Sequence, residues 1–137
     1  MTDYSTLVDS LIAASIGAGK INAGLALSIQ KIALQGKMDG LVAAVFERME
    51  ASTEDTMAIF EAISDEDCDI ANLLMIHLIP LVDNFDHATC DSIGLYLYHR
   101  MSFAVAAYLA FLEKASPDES MRRMCSRWLG SSKWRDG

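Results

Sequence analysis

Residues that break regular structure are scarce in this 137-residue sequence, which holds two prolines and eight glycines. That scarcity argues against disorder and against a loop-rich β architecture. No stretch alternates polar and apolar residues with period two between turn residues, and no internal repeat of roughly 20–50 residues points to a solenoid. Cysteine is also rare. Cys68, Cys90 and Cys125 are odd in number and widely spaced, so they cannot all pair within the chain, and a reducing compartment is the economical expectation. The opening MTDYSTLVDS carries two aspartates and no basic cluster, unlike a secretory leader, which predicts a cytoplasmic protein.

Long uncharged apolar runs are missing as well. IANLLMIHLIPLV is 13 residues, too short to cross a bilayer, and contains His77 and Pro80. GLYLYHRMSFAVAAYLAFL reaches 19 residues, but Arg100 near its middle would cost about 2.5–3.5 kcal/mol on insertion. No membrane role is expected. A phosphate-binding loop is absent too, although SIGAGKINAG contains a Gly-x-Gly-Lys. Such a loop needs a glycine five residues before its Gly-Lys and a hydroxyl after the lysine, and here those positions are Ala14 and Ile21. The element before it reads as a helix, with Leu7, Val8, Leu11 and Ile12 on one stripe, rather than the strand the motif requires.

What is present is 52% apolar residue content and a series of helix signals. Asn22 and Gly36 bracket one helix, Asp39 opens another through LVAAVFERMEA, and Ser52 or Thr53 caps EDTMAIFEAI. Ser64 is the expected cap of the next, which holds DEDCDIANLLMIHLIPLV and is expected to kink near Pro80. Asn84 or Asp86 opens the longest, continuing to about Ala115. Ser116, Pro117 and Glu119 form a capping-box signature for a final helix that stops at Gly130. Its apolar stripe is Met121, Met124, Cys125, Trp128 and Leu129, with Arg122, Arg123 and Arg127 outside it. The expectation is an all-α, single-domain irregular bundle of about seven helices spanning 1–137. The segments 70–82 and 93–112, apolar on nearly every face, are expected at its centre. Residues 131–137, SSKWRDG, read as a flexible basic tail with Trp134 as an aromatic anchor. Apolar surface that so few short helices leave uncovered implies an interface, so a homodimer is also expected.

The formal net charge of −8 is unevenly spread. Residues 39–91 hold thirteen Asp and Glu against the single Arg48, whereas the flanking segments are slightly basic. Glu47, Glu50 and Glu54 recur at helical spacing and would share a face if one helix ran through Ser52; Asp55, Glu61, Asp65, Glu66 and Asp67 follow. Acids can simply keep a helical domain soluble and stabilise helix N-termini. They can equally form a docking surface for a basic protein, since clustered charge steers association. They disfavour direct nucleic-acid binding, which depends on Lys and Arg.

Residues that could carry chemistry do not assemble into a signature. Cys68, His77, His87 and Cys90 are zinc-type ligands in neighbouring elements, but without the paired Cys-x-x-Cys or His-x-x-x-His spacing of a zinc site. Asp83, Asp86, His87 and Asp91 cluster near a helix start, where carboxylates more often cap than catalyse. There is no Gly-x-Ser-x-Gly elbow. The sequence therefore implies no catalytic residues, no metal and no cofactor. It points to a small acidic protein that binds and blocks a basic or nucleic-acid-handling partner, as toxin antidotes (immunity proteins) or anti-CRISPR-like phage inhibitors do. That comparison is one of size and charge. The alternative is a structural or regulatory helical module, homodimeric through a hydrophobic interface.

Overall fold

The computed structural model describes residues 4–17, 21–65 and 67–130. Among them the chain is all-α: α1 (Tyr4–Gly17), α2 (Ala23–Leu34), α3 (Met38–Ala51), α4 (Thr53–Ile63), α5 (Asp69–Leu78), a 3-10 helix (Ile79–Asn84), α6 (His87–Arg100), α7 (Phe103–Ala115) and α8 (Glu119–Gly130). None of these helices is long and apolar enough to cross a membrane. Lys20 and the tail 131–137 lie outside the described residues.

Several boundaries follow from single side chains. Asn22 accepts from the Leu25 N–H at 2.8 Å and starts α2. Gly36, at φ 71°, ends it: the Lys37 N–H reaches the Ile32 carbonyl and the Gly36 N–H that of Ala33, the paired closure that favours glycine at the left-handed position. Ser52, extended at φ −153°, caps α4 by accepting from the Asp55 N–H at 3.1 Å. Buried Thr56 ties the two helices together, its hydroxyl lying 2.8 Å from the Met49 carbonyl and 3.0 Å from that of Ser52.

Four boundaries differ from the sequence reading. Ser64 does not open a helix; it closes α4, and its buried hydroxyl turns back to the Phe60 carbonyl. The acids after it form a turn in which Asp65 accepts from the Asp67 N–H, and α5 begins at Asp69. Ser116 ends α7, while Asp118 caps α8 by accepting from the Ser120 N–H at 2.9 Å. Pro80 does more than kink its helix, since the backbone tightens to a 3-10 helix from Ile79. The expected element from 84 or 86 to 115 is two helices. Met101 is extended and buried, and Ser102 accepts from the Val105 N–H at 3.1 Å to start α7 in a new direction.

The core is one continuous apolar cluster. Leu74, Met75 and Leu78 of α5 and Ile59, Phe60 and Ile63 of α4 are fully buried, and these two helices are the hub. α4 meets α1, α3, α5 and α6, and α5 meets α2, α3, α4 and α7. The segment 70–82 is thus central as expected. The segment 93–112 lies further out, with one stripe inward (Ile93, Leu97, Val105, Leu109) and Leu95, Phe103 and Phe111 exposed. α8 completes the fold against α7 and α6 and buries the stripe read from its sequence, Met121, Met124, Cys125, Trp128 and Leu129.

Candidate interaction surfaces

The acidic segment folds into the end of α3, α4 and the turn that follows. Because α3 stops at Ala51, Glu47 and Glu50 belong to one helix and Glu54 to the next, so the shared face that a continuous helix would create does not form. All three are solvent-exposed. Asp55 is half-buried and faces Arg48 at 3.9 Å; Arg48 also bonds Asp9 of α1 at 2.6 Å. The hydrogen bond to Asp9 raises the Arg48 guanidinium above its ordinary pKa; desolvation opposes the rise, and the charges of Asp9 and then Asp55 add to it. The one basic residue of the acidic segment is thereby turned toward structure. Glu61 accepts from the Ser15 hydroxyl at 2.8 Å, joining α4 to α1. Asp65 holds its turn, Asp67 is exposed, and Glu66 lies outside the described residues. The structure therefore separates the acids into structural ones (Asp55, Glu61, Asp65) and outward-facing ones (Glu47, Glu50, Glu54, Asp67).

A second surface lies where the sequence reading places no site residue. α7 buries Val105, Ala106 and Leu109 against the body and turns Phe103, Ala104, Ala107, Ala110 and Phe111 outward. Phe103 is 72% and Phe111 62% exposed. A helix apolar on all sides reads as buried, and the neighbours decide which side stays out; here they are α8 and α5. The spacing of the two phenylalanines at i and i+8 around small residues was the available signal. Beside this face runs a shallow groove of about 260 Å³, lined by Phe103, Ala106, Ala107, Ala110, Glu113, Lys114 and Leu129.

Several of the residues weighed for chemistry make structural contacts. Cys90 is buried, its thiol directed at the Val82 carbonyl at 3.4 Å, and His77 Nδ1 lies 2.9 Å from the Leu73 carbonyl. Cys68 precedes α5 and His87 opens α6 in an exposed position. Among the described residues no three of His, Cys, Asp and Glu stand close enough to share a metal ion. Asp86 caps α6, accepting from the Thr89 N–H at 2.7 Å, and that bond together with one to the Thr89 side chain holds its carboxyl below the usual pKa. Asp91 pairs with Arg127 at 3.2 Å, and Arg123 with Glu119 at 2.7 Å, so the cations around the cleft between α6 and α8 are matched by acids. Half-buried Tyr108 has its phenol pKa raised, by burial first and by nearby Cys125 second. Comparison with known proteins gives no match, whether to a protein-family model, a curated protein or a solved structure.

Proposed function

We propose that the protein is a non-enzymatic binding module whose working surface is the outward face of α7. The observation that carries this reading is the pair of exposed phenylalanines with three outward-facing alanines between them on one capped helix. Large apolar side chains gathered on one helix face lose more by contact with water than by contact with another protein, and aromatic anchors concentrate binding energy. This is the helical module with a hydrophobic interface, in its structural or regulatory form. A cytoplasmic site of action suits it, since Cys68, Cys90 and Cys125 form no disulfide.

The exposed acids support a second reading, in which a basic partner docks on Glu47, Glu50 and Glu54 and is blocked, as by an antidote or a phage-type inhibitor. Glu50 sits in the last turn of α3, where the helix's own partial charge is negative, so helix stability does not account for its placement. One experiment separates the two readings: affinity purification with mass spectrometry, using as baits the wild type, Phe103→Ser/Phe111→Ser and Glu47→Lys/Glu50→Lys. A partner lost only with the phenylalanine variant supports the α7 surface. One lost only with the charge reversal supports acidic docking. Partners retained by both variants reject both surfaces.

A further inference from the structure

Resting on the reading of α7 as a docking surface, we infer that its occupant is a second copy of this chain, packed antiparallel across a twofold axis at Ala107. The outward positions of α7 read the same in both directions about that residue: Phe103 and Phe111 lie four before and four after, and Ala104 and Ala110 three before and three after. At 3.6 residues per turn, the phenylalanines fall about 40° to either side of Ala107 and the outer alanines about 60°. The phenylalanine and alanine at the same end of the helix therefore lie on opposite sides of the midline. A twofold axis perpendicular to the helix brings Phe103 of one protomer to the height of Ala110 of its partner, on the same side, and Phe111 likewise to Ala104. Each ring meets a methyl group rather than another ring, and Ala107 at the crossing lets the backbones approach to the close end of the usual 8–10 Å. An isologous interface requires a self-complementary patch of this kind.

Two further features fit the same occupant. The groove of about 260 Å³ lies on the Ala110 side of the helix, with Leu129 of α8 as its far wall, where the antiparallel arrangement delivers the partner's Phe103. Antiparallel helices also oppose their macrodipoles favourably. The size of the contact sets its strength. A 13-residue helix is about 20 Å long, so this interface belongs to the small class, below about 1,200 Å² in total, where weak and transient contacts lie, and a micromolar dissociation constant is the expected order.

Sedimentation equilibrium of the full chain from about 1 to 200 µM tests the inference, at concentrations that bracket a micromolar constant. A reversible monomer–dimer equilibrium is expected, with the dissociation constant raised at least tenfold by Phe103→Ser/Phe111→Ser and unchanged by Leu34→Ser, which alters an equally exposed leucine on α2. Orientation is read by oxidative cross-linking in a Cys68→Ser background. Mixing Ala104→Cys with Phe111→Cys protomers gives a mixed disulfide if the helices are antiparallel. In a parallel pair the two positions are about 10 Å apart along the axis, beyond disulfide reach. Circular dichroism confirms that the variants, at exposed sites apart from half-buried Cys68, retain the fold. A chain that is monomeric throughout, a dimer indifferent to the phenylalanine variant, or a pair that fails to form the mixed disulfide each overturns the inference. A monomer that still captures a partner through Phe103 and Phe111 removes the twofold pair and leaves the docking surface standing. A monomer whose partners ignore those residues removes both.

Discussion

Gly94 and Gly40 show how differently two helical glycines can matter. A Cβ built at Gly94 would lie 2.7 Å from the indole of Trp128, which is buried and held by its N–H bond to the Cys90 carbonyl at 3.1 Å. At Gly40 the clashing atoms belong to the Tyr4 ring, 2.8 Å away, but that ring stands at the start of α1, is only half-buried and can swing outward. Alanine gains about 1 kcal/mol of helix propensity at either site. At Gly94 the overpacking, typically about 1–3 kcal/mol, outweighs it. Chemical denaturation is expected to rank Gly94→Ala clearly below wild type and Gly40→Ala close to it; the reverse order would refute this account. Thr56→Val, which keeps the shape and removes the hydroxyl shared by the Met49 and Ser52 carbonyls, is expected to cost about 1–2 kcal/mol in the same assay. Asp86 adds a pH dependence. Its folded pKa is depressed, so its contribution is complete above the ordinary aspartate value near about 3.9 and disappears as pH falls through the lower folded value. The melting-temperature gap between wild type and Asp86→Ala should therefore be widest near neutrality and close in strong acid.

Among the elements, those legible in sequence carry a chemical mark at their ends or a clean apolar stripe. Asn22 and Gly36 delimit α2, and five apolar residues at helical spacing define the inner face of α8. The break between α6 and α7 carries no such mark. YHRMSFAV contains neither glycine nor proline, and what ends α6 is burial of Met101, which depends on residues distant in the chain. Ser64 and Ser102 are indistinguishable locally as candidate caps; one bonds backward to Phe60 and closes a helix, the other faces forward to Val105 and opens one. Ser102→Ala is accordingly expected to cost about 1 kcal/mol, with faster amide exchange confined to the first turn of α7. Loss of protection spread along the whole of α7 would show that packing on α8, rather than the cap, secures it.

For the molecule as a whole, the same asymmetry explains why the acidic segment was easier to read than the α7 face. A charged side chain rarely goes fully inside, and Glu47, Glu50 and Glu54 are exposed as their character requires. An apolar residue can be core or surface, and Phe103 and Leu109 differ only in which way the bundle turns them. The two surfaces also respond oppositely to salt. Association through the acids should slow as ionic strength rises, since the screening length falls from about 10 Å at 0.1 M to about 3 Å at 1 M. Association through the phenylalanines should hold or tighten in sulfate. Rates measured across both salts for any partner, or for the pair of chains, are expected to follow the second pattern; slowing with sodium chloride that Glu47→Lys/Glu50→Lys abolishes would favour the first.

The seat of Trp128 has an optical consequence. The indole is enclosed by Gly94, hydrogen-bonded at its nitrogen, and carried on the same helix as the Cys125 thiol. In a Trp134→Phe background its fluorescence should be blue-shifted in the native protein and move to the red when α8 leaves α6, giving that one contact a colour of its own. Comparing that shift with the loss of helical ellipticity would show whether the last helix detaches before the α4–α5 hub melts or together with it.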